Sequence, residues 1–304
     1  MTKLWNAARF CEMNDIRPDP DFDPSRAAMP LNRWVLDACD TAIKDAATAL
    51  EAYRFDEYAA AAYRFVWNTY CDWFLEFAKP ALAPGADPAQ AAEVRATGAH
   101  VLGLILRLLH PAMPYVTEEL WDRFGYGAPN SLIGTDWPEP VAVVDAAAAR
   151  EELDWVVRLI SLIRSVRTEM NVPPAALAPV LLRDAAPGAM ERAARWIDAI
   201  RRMARASEVR RLDGAMPKGS AQAVLDTATV VLPLEGLIDL AAEQARLRKE
   251  RDKATAEIRK VEQKLGNADF VKRAPEEVVE ENRERLTSFR SEVSRLDAAL
   301  ERLG

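Results

Sequence analysis

Hydrophobic residues recur every three or four positions along most of the chain, a spacing that places them on one face of an α-helix. This spacing predicts helices over residues 32–53, 55–78 and 88–110. Prolines and a Pro84-Gly85 pair separate these stretches, and residues 125–140 are rich in the residue types typical of loops. We therefore predict an antiparallel helical bundle over residues 1–150.

The pattern changes after residue 150. One more amphipathic helix is predicted over residues 151–170, and it is followed by short runs typical of β-strands. The candidate strands are 179–182, 209–212 and 229–232, with a helix predicted over 189–206. Residues 151–236 are thus predicted to form a small α/β junction subdomain.

Heptads begin at residue 237. Apolar residues alternate in steps of four and three over 240–265, and the pattern resumes over 279–303. Two heptad segments with a short connection predict an antiparallel coiled-coil hairpin over 237–304, an arm about 43 Å long. Gln244, Arg251 and Asn282 are polar at core positions, where they set the register, weaken the coil or mark where the arm meets the body. The predicted fold class is mainly α.

The composition is that of an ordinary globular protein, because 50% of the 304 residues are hydrophobic. Three widely spaced cysteines favour a reducing compartment and argue against disulfides and zinc. No apolar run is long enough to cross a membrane, and no signal peptide opens the sequence. We therefore expect a cytoplasmic protein with no membrane partner.

The net charge of -7 is unevenly distributed. Residues 156–211 contain 11 arginines, no lysines and 5 acidic residues, a local balance of +6. One positively charged surface would suit a nucleic acid. The alternative, that arginine-rich helices simply have a solvated face, carries equal weight on charge alone.

No constellation in the sequence predicts catalysis. There is no Gly-rich phosphate loop and no Gly-x-Ser-x-Gly motif. His100 and His110 lie ten positions apart, without a cysteine or carboxylate at metal-ligand spacing. We therefore expect no catalytic residue, no metal site and no cofactor in this chain.

The best binding constellation is in the first predicted helix. Lys3, Asn6 and Phe10 stand at i, i+3 and i+7, which places them on one face. A cation, an amide and an aromatic ring together suit unstacked RNA bases. The alternative is that Phe10 belongs to the hydrophobic core.

Several segments, taken in order, resemble valyl-tRNA synthetases. Lys3–Phe10 is similar to the opening helix of their anticodon-binding domain, and Leu108–Trp121 is similar to a segment that the isoleucine and leucine enzymes share. Ile163–Pro174 and Ala268–Pro275 point to the valine enzyme. The resemblance covers nearly the whole chain.

The resemblance implies tRNA(Val) as the partner. Lys3, Asn6 and Phe10 would then read the anticodon, and the C-terminal arm would lie against the outer corner of the tRNA. The candidate arm contacts, for which a solvated flank is the alternative, are Arg248, Lys249, Arg259, Lys260, Lys272 and Arg273. A second set of residues would brace either the tRNA or the domain junction, and the sequence does not decide between the two. These residues are Arg164, Arg167 and Asn171.

The ATP-handling motifs of that family, His-Ile-Gly-His and Lys-Met-Ser-Lys-Ser, are absent. The resemblance places ATP and Mg²⁺ in a catalytic domain that would precede Lys3, so we expect no aminoacylation or editing from this chain alone. The abrupt start favours a fragment over a free-standing tRNA-binding module. An isoleucyl-tRNA synthetase is the near alternative, although a C-terminal zinc-binding cysteine cluster is absent. A third alternative is a structural protein that dimerises through the hairpin. Pairing of the two heptad segments within one chain argues against this alternative and predicts a monomer.

Overall fold

The computed structural model describes residues 2–267, Lys272 and 274–303. It is mainly α with a small sheet, which confirms the predicted fold class. The chain divides into two compact units, Met1–Val157 and Arg158–Gly304. The finer division into three domains at residues 150 and 236 stays a prediction.

The first unit is helical. Its helices are α1 (Thr2–Met13), α2 (Pro30–Glu51), α3 (Phe55–Tyr63), α4 (Leu75–Leu82), α5 (Pro88–Leu109) and α6 (Pro114–Phe124). Short 3-10 turns occupy Pro24–Arg26 and Leu132–Gly134. A long helix, α7 (Ala146–Glu169), begins in this unit and ends in the second.

Helix α5 is the centre of the first unit, because buried residues occur on every side of it. Its glycines let neighbouring side chains approach closely. A Cβ at Gly103 would stand 2.7 Å from the ring of Tyr126, and one at Gly98 would stand 3.3 Å from Ile16. The Tyr70 hydroxyl donates to the Gly98 carbonyl oxygen at 2.9 Å, so a buried polar group is satisfied at the same position.

The predicted helix over 55–78 is continuous but not uniform. Arg64–Phe74 is a π-helix between α3 and α4, and α4 continues through Pro80 to Leu82, beyond the predicted end. Pro80 removes one i→i−4 backbone hydrogen bond, and α4 ends two residues later. Most aromatic residues of this stretch are buried or half-buried, but Phe55 and Tyr63 are 63% and 53% exposed.

The second unit contains a four-stranded sheet in the order β2-β1-β4-β3. The strands are β1 (Ala178–Arg183), β2 (Ala206–Arg211), β3 (Ser220–Leu225) and β4 (Ala228–Pro233). Strand β1 pairs with β2 in parallel, and the other pairs are antiparallel. The crossover from β1 to β2 carries α8 (Pro187–Arg195) and α9 (Ile197–Ala204), so the single helix predicted over 189–206 is divided at Trp196.

A helical hairpin completes the second unit. Its helices are α10 (Leu240–Gly266) and α11 (Glu276–Leu303). Ion pairs from Glu262 to Arg290 and from Arg251 to Asp297 show that the two helices run antiparallel, as the heptads predict. The seam includes Leu247, Ala254, Val261, Val279, Asn282 and Ala299, all buried. Of the polar seam residues, Asn282 is buried and Gln244 and Arg251 are half-buried.

Candidate nucleic-acid interface

Helix α1 is fixed to the first unit along one face and both flanks. Leu4, Ala7, Ala8 and Cys11 are buried. On one flank, the Arg123 guanidinium of α6 lies 5.7 Å from the ring centroid of Trp5. The same guanidinium donates to both carboxylate oxygens of Glu12, at 3.1 and 2.8 Å. The helix is therefore packed against the unit on one face and joined to α6 on this flank.

Two of the predicted anticodon residues lie on the other flank. Lys3 Nζ is 2.6 Å from Asp72 Oδ1, and Lys79 Nζ lies 5.8 Å from the centroid of the Phe10 ring. Phe10 is half-buried, whereas Asn6 is exposed. The structure thus places all three on one side of α1, with Phe10 between the core and the surface.

The exposed surface of α1 contains more residues than the sequence predicted. Arg9 and Met13 follow Asn6 at i+3 and i+7, and both are exposed, Met13 by 81%. In the described part of the chain no carboxylate is paired with Arg9. The same spacing rule that selected Lys3, Asn6 and Phe10 could have found this second strip. We call the five residues together the α1 surface: Lys3, Asn6, Arg9, Phe10 and Met13.

The surface of α10 away from the seam is mainly basic, although exposed Asp252 lies within it and Lys260 Nζ is 2.6 Å from Glu257 Oε1. Arg248, Lys249, Arg259 and Lys260 from the sequence prediction are exposed there. Lys253 and Lys264 lie on the same face and are also exposed, although the sequence analysis missed them. They follow Lys249 and Lys260 at i+4, which is the spacing that could have found them. We call these six residues the basic face of α10.

Helix α11 has the opposite charge. It contains eight acidic and five basic residues, whereas α10 contains eight basic and five acidic ones. Five exposed carboxylates lie within nine residues at its start: Glu276, Glu277, Glu280, Glu281 and Glu284. Lys272 is exposed, and Arg273 lies outside the described residues. A polyanion is therefore attracted to α10 and repelled by the first turns of α11.

The remaining predicted residues lie at the end of α7. Arg164 and Asn171 are exposed, and Asn171 has a left-handed backbone with φ 54°. Arg167 is buried and donates from Nη2 to the carbonyl oxygens of Pro173 and Ala176, at 3.1 and 2.7 Å. Arg167 thus supports the loop after α7 in this structure. The choice between bracing the tRNA and bracing the junction is untested.

No other constellation in the described residues offers chemistry. They contain no group of three or more His, Cys, Asp or Glu side chains able to hold a metal ion. Burial raises the pKa of the Cys11 thiol to about 12 and that of Cys71 to about 11, so both are poor nucleophiles near neutral pH. None of the described helices combines the length and apolarity needed to cross a bilayer.

Comparison with known proteins defines the class. Residues 32–182 match the anticodon-binding domain of tRNA ligases. Helix α1 precedes this range, so the α1 surface itself is not part of the match. The chain therefore carries an anticodon-binding domain of the tRNA ligase class.

The second match specifies the family. Residues 239–304, the hairpin, match the tRNA-binding arm of valyl-tRNA synthetases. The chain is 62% identical to the valine–tRNA ligase of Granulibacter bethesdensis and 56% identical to that of Gluconobacter oxydans, over its whole length. It is 48% identical to the Caulobacter vibrioides enzyme over 99% of its length. It belongs to the valyl-tRNA synthetase family, as the resemblance predicted, and spans about a third of the length of these relatives.

Proposed function

We propose that this chain binds tRNA(Val) and positions it for ATP-dependent valylation in a part of the ligase that lies outside these residues. The α1 surface would contact the anticodon, and the basic face of α10 would contact the outer corner of the tRNA. Two observations support the proposal: the matches of residues 32–182 and 239–304 to an anticodon-binding domain and a tRNA-binding arm, and the excess of basic residues on α10.

The ion pair at the α1 surface would cost little to open if an unstacked base bound there. The Lys3–Asp72 pair is partly exposed, with 38% and 49% of the two side chains accessible, and such a pair contributes only about 0–1 kcal/mol. Stacking of a base on an aromatic ring is worth about 1–3 kcal/mol. A base stacked on Phe10 would therefore more than offset the opening of the ion pair.

The basic face of α10 would act differently, because phosphate contacts carry no base information. Each neutralised phosphate releases counterions, so this face would contribute affinity that falls steeply with salt. ATP and Mg²⁺ have no role in this scheme within the chain. We also propose that the chain is a monomer in the cytoplasm, since α10 and α11 bury their apolar seam against each other.

A competition titration tests the anticodon contact. The full chain is titrated with tRNA(Val) and with the same tRNA carrying a substituted anticodon. We expect a clear preference for the native anticodon, and we expect Phe10→Ala to weaken native binding by about 1–3 kcal/mol while reducing that preference. Tyr115→Ala, at a ring 91% exposed elsewhere in the first unit, is the matched control. Equal binding of both tRNAs would contradict the proposal that the α1 surface contacts the anticodon.

A further inference from the structure

Three arginines lie at or near the ends of α7 and α9. Arg164 and Arg167 lie one turn apart on α7, and Arg205 directly follows the last residue of α9. The Arg164 Nε donates to the Met203 carbonyl oxygen at 2.8 Å, which ties α7 to the end of α9. Basic side chains near the C-terminal ends of helices are favourable, because the free carbonyl groups there are partly negative. This accounts for basic residues at all three positions, but not for the burial of Arg167.

Arg167 is buried with an unused donor. It is 7% exposed, and its Nη2 already serves Pro173 and Ala176. Its Nη1 is enclosed and has no acceptor among the described residues. A buried charged donor without a partner is costly, and a buried arginine is normally paired with an acid. An acceptor is therefore missing at this position.

Arg205 supplies a second cation beside the first. Its backbone is left-handed, with φ 54° and ψ 43°, and its carbonyl oxygen accepts from Ala178 N at 3.1 Å, so its position is fixed. The side chain is exposed and makes no ion pair with any described residue. Burial, and then the charge of Arg205, lower the pKa of Arg167. Arg167 donates to the Ala176 carbonyl oxygen and Arg205 accepts from Ala178 N, so both arginines lie beside residues 176–178, and neither is paired with a described carboxylate.

We propose that Arg167 Nη1 and the Arg205 guanidinium form a binding site for one phosphate group. Phosphate oxygens match the geometry of guanidinium donors and would supply both the missing acceptor and the missing negative charge. The exposed Arg205 would bind the phosphate group from the solvent side, and the buried Arg167 would donate to it from the protein interior. The phosphate could belong to RNA, a version that rests on the proposed function, or it could be free phosphate, a version that does not.

Thermal unfolding of the full chain tests the site. Inorganic phosphate is titrated against chloride at constant ionic strength, with wild type, Arg205→Gln and Arg211→Gln. Arg211 is an exposed control at the far end of β2, about 16 Å from Ala206 at the near end. At a tenfold excess over Kd we expect Tm to rise by about 2–5 °C in wild type and in Arg211→Gln, but not in Arg205→Gln. Equal rises in all three proteins, or no rise in any, would overturn the proposal.

The salt dependence of tRNA binding identifies the source of the phosphate. If it belongs to RNA, Arg205→Gln reduces the slope of log Kobs against log salt by about one relative to Arg211→Gln. An unchanged slope, together with lost stabilisation by phosphate, assigns the site to free phosphate. If no tRNA binds at all, the proposed function fails, and the phosphate titration still decides this site independently.

Discussion

A single carboxylate, Glu93 of α5, fixes the start of α2. Its Oε1 accepts from the backbone N–H groups of Ala28 and Met29, at 2.9 and 2.8 Å, and from Asn32 Nδ2 at 2.9 Å. The residue before α2, Met29, makes no side-chain capping bond. The two backbone N–H groups that Glu93 accepts from belong to Met29 and to the residue before it, so Glu93 fixes the entry of the chain into α2 from a different helix, as a capping-box glutamate does within its own helix.

We expect Glu93→Ala to lower the free energy of unfolding by about 1–3 kcal/mol, because it leaves three donors without their acceptor. Urea unfolding followed by circular dichroism measures this change. Glu51→Ala, at the exposed last residue of α2, is the control and should change stability little. Equal losses in the two variants would show that Glu93 contributes only surface charge.

At the scale of elements, the periodicity of hydrophobic residues predicted the helices and strands that have a regular pattern. It missed the elements that depend on contacts with other parts of the chain. The hairpin follows from its heptads, and β1 and β4 follow from apolar runs. Strand β3 was missed because Ser220–Leu225 is rich in small residues and becomes a strand only by pairing with β4. The π-helix at Arg64–Phe74 depends on packing that no spacing rule contains.

The candidate site shows the same division. The i, i+3, i+7 spacing placed Lys3, Asn6 and Phe10 together, but the pairing of Lys3 with Asp72 comes from a segment about 70 residues away. Arg167 was indistinguishable in sequence from its exposed neighbour Arg164, although the structure buries one and exposes the other. Burial of a charged side chain is decided by tertiary contacts, which the sequence pattern does not contain.

The charge difference between α10 and α11 gives a prediction for the arm. We expect Lys253→Glu combined with Lys264→Glu to weaken tRNA binding and to reduce its salt slope by about two, because both lysines lie on the basic face of α10. Filter binding at several salt concentrations measures the slope.

The matched control is Arg285→Glu combined with Arg295→Glu, which makes the same change in net charge on α11. Both arginines are exposed. The control should reduce the slope much less, provided that circular dichroism shows unchanged helix content in both double variants. Equal reductions would indicate that the arm responds to net charge rather than to a particular face.

The whole chain separates charge between its two units. Met1–Val157 carries 13 basic and 24 acidic residues, whereas Arg158–Gly304 carries 27 and 23. An acidic unit cannot attract a polyanion over a distance, so long-range attraction must come from the second unit. The α1 surface, in the acidic unit, can contribute only through short contacts such as stacking and hydrogen bonds, which salt weakens little.

Affinity and anticodon preference should therefore respond differently to salt. We expect the Kd for tRNA(Val) to rise steeply as salt increases, because phosphate contacts dominate it. The ratio of this Kd to that of the tRNA with a substituted anticodon should stay nearly constant, since both RNAs make the same phosphate contacts. Titrations of both RNAs across one salt series would give parallel lines of log Kobs against log salt. Lines that converge as salt increases would mean that the preference is electrostatic, and that it arises from charge around the anticodon rather than from base contacts at α1.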